Sequence, residues 1–431
     1  MYYQKKEIRI SVKSLVTFIL LVFLFDGIVR FIADYLGIYF INAWKDLTII
    51  LFIGLILALI WFVLQKFSLT LWDMLFLIMV IYSIPIGIVN HGILQTVWGI
   101  KIFFLPVLFY IFAFNVMKQK LDDSVVNKFL FLTVILAIPI IIFGYVQYVT
   151  HFLIFKSVAP VVLGKLSFIK LSYISTTPRA IGTFRSPFAF GDFNSYVVIF
   201  SFSMFLGARK PSSKLIFILL IFLGFLGIYI STSRTSMLVA FYGITALLIL
   251  KYLRPYPMQL KLLLFAITIA LPILVMFVAI FGLGRHGGKL FFLFSTESTF
   301  ARLVTWYDAI VQYPFFKNPL TFLFGYGAGA IGTAQRQVGS KFYNPVDNIF
   351  LYMLINFGLV GLVIFLNALL WPVSRFIANI KDYEFGWQDV VVVLTLGVLF
   401  VEGMYRTFFE GFPLPYIFWF LHFYFRLRLK T

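Results

Sequence analysis

Twelve apolar runs, each close to the length of a membrane-spanning helix, constrain the fold of this chain more than any other feature. A helix needs roughly 20 predominantly apolar residues to cross a bilayer. Of the 431 residues, 62% are hydrophobic and only 12% are charged, which is more apolar surface than a soluble core needs. The runs fall at 11–32, 46–64, 71–90, 97–117, 128–151, 190–208, 213–231, 235–252, 261–283, 346–371, 388–406 and 411–427. The sequence therefore predicts an all-α polytopic membrane protein with a single transmembrane domain over residues 1–431.

Twelve spans place both termini on one side of the membrane. If that side is the cytoplasm, every short inner connection carries lysine or arginine, as the positive-inside rule expects. The first run follows basic residues, as in a signal peptide, but it lacks a small-residue cleavage site, which predicts a retained first helix. The two long connections, 152–189 and 284–345, then both lie outside, the second between helices nine and ten. Glu402, Arg406 and Glu410 interrupt the last two runs, where a helical pair or a re-entrant hairpin would fit.

The net charge of +19 comes from basic residues that are scattered at helix ends rather than gathered on a soluble domain. This pattern favours anionic lipid headgroups and phosphate-bearing lipid ligands over nucleic acid as partners. The chain has no cysteine, four histidines with no pair four apart, no Walker A loop and no Gly-x-Ser-x-Gly. Metal-dependent hydrolysis and ATP-driven transport therefore lack support, and we expect neither a metal nor a cofactor.

Two arginines stand at the entry to the sixth run. Arg179 and Arg185 flank Gly182 in a stretch whose glycine and proline allow a tight turn, and Asp192 or Asn194 could cap the helix that follows. The planar fork of arginine matches phosphate oxygens, which predicts a diphosphate site at the mouth of the bundle. The alternative is that both side chains only reach lipid headgroups.

A short turn between runs seven and eight carries a third arginine. Its sequence, Ser231-Thr232-Ser233-Arg234-Thr235-Ser236, supplies hydroxyls that can satisfy the open helix ends. Arg234 would lie at or just below the membrane surface, where a cation is usually paired or functional. We therefore favour a functional role for Arg234.

The long connection 284–345 contains an amphipathic helix and a glycine-rich turn. Arg302 and Trp306 are four residues apart and so share one side of that helix. The glycines of 325–329 would let backbone N–H groups approach an anion, but this pattern is weak evidence, and flexibility alone would also explain it.

Two polar residues precede the tenth run. Asp347 could accept a proton from an attacking hydroxyl. It could equally be the N-cap of the helix, because aspartate is a favoured capping residue. Both alternatives stay open at the level of sequence.

In their order along the chain, these motifs resemble those of the O-antigen ligase and polymerase superfamily, whose members handle polyprenyl diphosphate-linked glycans at the outer face of bacterial membranes. The resemblance extends from about residue 179 to residue 370. The matching residues are Arg179, Gly182, Phe184 and Pro187 of an Arg-x-x-Gly-x-Phe-x-x-Pro pattern, the Ser233-Arg234 turn, Arg302 and Trp306 of an Arg-x-x-x-Trp helix, Gly325, Gly327 and Gly329, and Gly358, Leu359, Gly361 and Leu362 after Asp347-Asn348. Asp347 stands where ligases typically have histidine, which favours a polymerase.

The resemblance implies a GT-C-like, metal-independent glycosyltransferase in the bacterial inner membrane, with its active site on the outer face. It would join undecaprenyl diphosphate-linked oligosaccharide repeat units, as donor and as acceptor, into an O-antigen, a capsule or an exopolysaccharide. Catalytic roles fall to Arg179, Arg302 and Asp347. The implied substrate-binding residues are Arg185, Arg234, Arg336, Trp306, Asn348, Gly325 and Gly327, and the reserve acids are Glu297 and Asp308. Membrane lipids, a chain-length regulator and a flippase are the implied partners.

Other functions also fit parts of the pattern. A ligase would transfer the finished glycan to a lipid or wall acceptor. A lipid-linked oligosaccharide flippase would present basic residues to the same diphosphate, but in a central cavity reachable from both sides rather than in outer loops. A non-catalytic scaffold would need none of these motifs.

Overall fold

The computed structural model describes residues 12–36, 38, 44–59, 69–117, 123–152, 173–174, 177–280, 296–314, 318–339 and 346–429. Within them the α-helices are α1 (Val12–Phe23), α2 (Asp26–Tyr35), α3 (Trp44–Leu59), α4 (Leu71–His91), α5 (Ile93–Met117), α6 (Asp123–Val149), α7 (Pro187–Gly207), α8 (Pro211–Ser231), α9 (Arg234–Tyr252), α10 (Pro257–Ile280), α11 (Thr296–Gln312), α12 (Pro319–Phe324), α13 (Thr333–Gln337), α14 (Ile349–Ala378), α15 (Trp387–Leu396) and α16 (Leu414–Arg428). A π-helix, Gly397–Glu402, follows α15, and 3-10 helices cover Ile380–Asp382 and Phe408–Glu410. Two-residue strands β1 (Tyr173–Ile174) and β2 (Thr177–Pro178) pair antiparallel.

Eight of the described helices are long and apolar enough to cross a membrane: α4 to α10 and α14. This confirms an all-α polytopic membrane protein, whereas the count of twelve spans stays unconfirmed. The first run, 11–32, is not one helix but two, because the chain turns at Leu24 and Phe25 before α2 begins. The run at 46–64 is helical as α3, and residues 60–64 lie outside the described part of the chain.

The connections gather at two ends of the bundle. At the first, which we call the loop end, segment 178–186 reaches the end of α8, where Ala180 N donates to Ile230 O at 2.9 Å. At the opposite end, Arg254 donates to the carbonyls of Ile380 and Tyr383 and pairs with Asp389 at 2.6 Å. Residues from both long connections, 152–189 and 284–345, meet at the loop end, as the site described below shows.

The region 403–413 turns back at the loop end between the π-helix and α16. Ile349 N donates to Gly403 O at 2.7 Å, so the turn is fastened to the start of α14. Helix α16 is buried from Leu414 to Leu427, and Arg426 near its C-terminus forms an ion pair with Asp73 near the start of α4. A helix that is hydrophobic on all sides belongs inside a bundle. The last run, 411–427, therefore forms a central helix of 15 residues rather than one that faces lipid.

The glycine-rich turn after α12 docks between α4, α5 and α14. Gly327 has a φ of +91°, and a Cβ there would lie 2.1 Å from the backbone nitrogen of Gly87 in α4. Gly358 interrupts α14 with a φ of +68°, and a Cβ at this position would lie 2.3 Å from Leu323 O. Because backbone approaches backbone at both positions, only glycine fits either of them.

We expect Gly327→Ala to destabilise the protein by about 2–5 kcal/mol, since it combines overpacking with a strained backbone. The measurement is the unfolding temperature of detergent-purified protein. Gly207→Ala is the matched control, because nothing lies within 4 Å of a Cβ at Gly207. Equal unfolding temperatures for the two variants would show that the turn does not need this contact.

Candidate active site

Segment 178–186 is held in place by neighbours from three parts of the bundle. The side-chain oxygen of Gln147 in α6 accepts from the backbone nitrogens of Ile181 and Gly182 at 3.1 and 2.9 Å. Thr183 Oγ1 donates to Leu24 O at 2.5 Å. Gly182 has a φ of +55°, and a Cβ there would lie 2.6 Å from the ring of Phe190. These contacts give Arg179, at the start of the segment, a defined position.

Arg179 is buried at the loop end beside the end of α8. Its Nε donates to Ser231 O at 3.2 Å, and its guanidinium carbon lies 4.4 Å from the centroid of the Phe188 ring. Burial, and after it the like charges of Arg406 and Arg234, lowers the pKa of Arg179 to about 10. Arginine therefore stays protonated near neutral pH, and none of the described carboxylates pairs with Arg179.

The turn after α8 brings Arg234 into the same region. Thr232 has a φ of +54° and ends α8, Ser233 precedes α9, and Arg234 is the first residue of α9. The turn packs on Gly191 of α7, where a Cβ would lie 2.6 Å from Ser233 Cβ. The charges of Arg179 and Arg234 interact with one another, and Arg302 in turn interacts with Arg234.

Arg302 lies in α11, and Asp347 lies just before α14. The two side chains meet at the loop end. Arg302 Nε lies 3.9 Å from Asp347 Oδ2, with the two side chains 24% and 40% exposed. Burial lowers the pKa of Arg302. Burial raises the pKa of Asp347, and the charges of Arg302 and Arg406 oppose that shift. The carboxylate of Asp347 is thus beside the arginines and still reaches solvent.

Asn348, not Asp347, caps α14. Asn348 Oδ1 accepts from the backbone nitrogens of Phe350 and Leu351, each at 3.0 Å, which is the N-cap arrangement. The N-cap role that the sequence left open for Asp347 is therefore wrong, and its role as a proton acceptor stays a prediction. The side chain of Asp347 does not satisfy the helix end and points instead to Arg302.

Sequence analysis noted Arg406 only as a break in the last two runs and did not assign it to the site, yet it is a fourth arginine there, in the turn after the π-helix. Its Nη1 pairs with Asp192 of α7, its Nη2 donates to Ser233 Oγ at 3.2 Å, and its guanidinium carbon lies 4.4 Å from the Phe188 centroid. Asp192 does not cap α7, because Ser186 does so by accepting from Ala189 N at 3.1 Å. The available signal was an ionisable residue within an apolar run, which is costly in a membrane and usually functional.

The charges of this group do not cancel. We call Arg179, Arg234, Arg302 and Arg406 the arginine cluster. Among the described residues, three carboxyl groups interact with its member Arg406, those of Asp192, Asp347 and Glu402. Four positive charges against three carboxyl groups leave an excess of at least one positive charge, and the excess favours an anionic ligand. Arginine forks arranged in this way suit phosphate oxygens.

Four of the other predicted site residues have different surroundings. Arg185 Nη2 donates to Asp26 Oδ1 at 3.0 Å, and Lys45 Nζ lies 3.3 Å from the other oxygen of Asp26, so this arginine belongs to a separate ionic group. The backbone nitrogens of Gly325 and Gly327 donate to Thr321 O and Asn356 O, both at 2.9 Å, which commits them to protein acceptors. Arg336 lies in α13, which follows the glycine-rich turn in the sequence.

The remaining candidates lie on α11. Trp306, one turn after Arg302, has a buried indole nitrogen with no hydrogen-bond partner among the described residues. Asp308 is exposed. Glu297 falls in the first turn of α11, but its side chain lies outside the described part of the structure.

Fold and site together define a polytopic α-helical membrane protein with an excess of arginine at one end of its bundle. Residues 217–366, from α8 to the middle of α14, match the O-antigen ligase family, which confirms the resemblance to the O-antigen ligase and polymerase superfamily. The matched residues include Arg234, Arg302 and Asp347, whereas Arg179 and Arg406 lie outside them. No curated protein matches the chain.

Proposed function

We propose that this protein is a glycosyltransferase that joins polyprenyl diphosphate-linked oligosaccharide repeat units into a surface polysaccharide. The observation that carries the proposal is the meeting of Arg179, Arg234 and Arg302, from three separate elements, beside the carboxylate of Asp347. The family match supports enzymes that act on lipid-linked glycans. The polymerase activity itself is inferred from Asp347, which replaces the histidine typical of ligases.

In this proposal Arg179, Arg234 and Arg302 bind the diphosphate of the donor. The acceptor sugar hydroxyl attacks the anomeric carbon of the donor, a new glycosidic C–O bond forms, and the bond from that carbon to the diphosphate oxygen breaks. Polyprenyl diphosphate leaves with the bonding electrons. The negative charge that develops on its oxygen is stabilised by fixed arginine donors, the kind of electrostatic contribution that often dominates catalysis.

Asp347 is the proposed base. Its carboxylate would accept the proton of the attacking hydroxyl, which requires an approach of about 2.6–3.2 Å. Arg302 lies close enough to favour the ionised form of this carboxylate. The chemistry proposed here needs no metal.

A ligase is the second candidate, because the matched family is named for O-antigen ligase activity. A flippase is a weaker one, since the arginine cluster lies at one end of the bundle and not midway between the two ends. Membrane lipids, a chain-length regulator and a separate flippase are proposed partners of the polymerase.

The test uses purified protein with a synthetic polyprenyl diphosphate oligosaccharide and no added metal. We expect chain extension. Analysis of surface glycan from a deletion strain separates the first two candidates: capped single repeats indicate a polymerase, and accumulated lipid-linked polymer indicates a ligase. No extension together with accumulated polymer would overturn the polymerase proposal.

The proposal places the loop end on the outer face of the inner membrane. Reporter fusions after Lys165 and Lys317 should therefore read as external, and fusions after Lys120, Lys210 and Lys381 should read as cytoplasmic. Activity of alkaline phosphatase and β-galactosidase fusions measures this directly. Opposite faces for the two long connections would be incompatible with a shared site.

The proposed base also predicts a pH dependence. Because burial raises the pKa of Asp347, we expect turnover to rise with pH through a value above the usual ~3.9 of aspartate and then level off. Arg302→Gln removes the positive charge that most opposes this shift, so the acid limb of the residual activity should move to higher pH. The measurement is kcat against pH for both proteins. An acid limb at the same pH in the variant would argue against Asp347 as the titrating group.

A further inference from the structure

A closed ring of hydrogen bonds surrounds the carboxylate of Asp192. Asp192 Oδ1 accepts from Ser236 Oγ at 2.5 Å, and the Oγ atoms of Ser233 and Ser236 are also 2.5 Å apart. Arg406 pairs with the second oxygen of Asp192 and donates to Ser233 Oγ at 3.2 Å. Because Ser236 gives its only hydroxyl proton to Asp192, Ser233 must be the donor to Ser236. Every donor in the ring is then assigned: Arg406 donates to Ser233 and to Asp192, Ser233 donates to Ser236, and Ser236 donates to Asp192.

This ring joins three elements that are far apart in sequence. Asp192 lies in α7, Ser233 and Ser236 lie at the start of α9, and Arg406 follows the π-helix. Asp192 is only 3% exposed, whereas Arg406 keeps 12% of its side chain accessible. The buried carboxylate of Asp192 therefore anchors the ring, and Arg406 is the residue of the ring that extends into the candidate active site.

Arg406 has a central place in the arginine cluster. Its charge acts on Arg179, on Arg302 and on Asp347. Its guanidinium and that of Arg179 both contact the ring of Phe188. Like charges repel, so a guanidinium in this position needs an anchor, and Asp192 is the carboxylate bonded to it.

We propose that Arg406 is a further ligand of the donor diphosphate and that Asp192 is the positioning residue that holds it in place. The inference rests on the proposed function, because it assigns Arg406 to the same diphosphate. Asp192 itself does not touch the substrate. It acts through Arg406, and through Ser233 it also orients the turn that carries Arg234.

Positioning and simple electrostatics predict opposite results when Asp192 is replaced by asparagine. The variant loses a negative charge close to an anion site, so electrostatics alone would strengthen diphosphate binding. The amide keeps only one acceptor oxygen, so it can accept from Arg406 or from Ser236 but not from both, and it no longer forms an ion pair with Arg406. If Asp192 positions Arg406, binding must weaken although the site has become more positive.

The experiment measures equilibrium binding of a radiolabelled short-chain polyprenyl diphosphate to purified protein, alongside chain extension. We expect Asp192→Asn to weaken binding by about 10- to 100-fold, as for the loss of one partner of a buried charged pair. Asp382→Asn is the matched control, because it removes the same charge from an exposed residue at the opposite end. It should bind the probe as wild type does.

A double-mutant cycle tests whether Asp192 acts through Arg406. Arg406→Ala should weaken binding at least as much as Asp192→Asn, and the double variant should be no worse than Arg406→Ala alone, since coupled residues are not additive. Arg406→Lys provides a second test that keeps the ion pair and the fold. It should still weaken binding, because lysine lacks the second donor group that reaches Ser233.

The outcomes separate the two proposals. Wild-type protein that does not bind the probe would contradict the proposed function. Wild-type binding that is unchanged or strengthened in Asp192→Asn, or effects of Asp192→Asn and Arg406→Ala that add, would contradict the positioning role alone. If Asp192→Asn does not fold, unchanged binding in Arg406→Lys overturns the inference.

Discussion

We expect Arg302→Lys to reduce turnover by about 100-fold or more, although the variant keeps the positive charge. Removing one hydrogen-bond donor from an oxyanion hole has a comparable effect on turnover. Lysine is a point charge and cannot reproduce the planar fork that binds two phosphate oxygens. Arg179→Lys should behave similarly, because it also loses the Nε bond to Ser231 O and the contact with the Phe188 ring. The measurement is the rate of chain extension by purified protein at equal amounts of folded enzyme.

The matched control for both variants is Arg209→Lys. Arg209 is exposed in the connection between α7 and α8 at the opposite end of the bundle, so we expect wild-type turnover. Arg254 would be a poor control, because it donates to two carbonyl groups and pairs with Asp389. If Arg209→Lys lost as much activity as the other two, these arginines would be topological anchors rather than ligands.

Asp347→Asn is expected to reduce turnover by about 10²- to 10⁴-fold while donor binding is retained, which is the usual contribution of a general base. The amide has nearly the same shape as the carboxylate but cannot accept the proton. Turnover and diphosphate binding are measured on the same preparation. Asn348 rather than Asp347 caps the start of α14. A loss of turnover in Asp347→Asn can therefore not be attributed to a lost helix cap.

Asp347→Ala should therefore lose as much turnover as Asp347→Asn, and its unfolding temperature should stay close to that of the wild type. A marked drop in unfolding temperature for the alanine variant alone would indicate a structural role. Full activity of Asp347→Asn would remove this residue from the mechanism. Glu297 and Asp308 on α11 would then be the next acids to test.

Much of the helical architecture could be predicted from sequence, because the length and apolar content of a span are local properties. The runs that became α4 to α10 lie within a few residues of the observed helices. Predictions were less accurate where the chain bends. The first run is divided at Leu24 and Phe25, and Gly358 interrupts α14, both within stretches that are uniformly apolar. The hydropathy of the sequence does not predict such breaks, because they depend on which residues pack against the backbone.

Individual arginines were easier to find than their partners. Arg179, Arg234, Arg302 and Asp347 stand out in the sequence because charges are rare beside apolar runs, and the structure brings these four residues to one end of the bundle. Arg185 has the same local appearance as Arg179, yet it pairs with Asp26. Only the packing of segment 178–186 against α2 separates the two.

The sequence by itself determined that this chain spans a membrane and which arginines and acids stand beside its spans, since both properties follow from the order of apolar and charged residues. Tertiary structure alone decided which charges meet. Arg406 and Asp192 are 214 residues apart, and no local pattern connects them. A buried ion pair forms only where the fold brings two such groups together away from water, because each charge is costly to bury without the other.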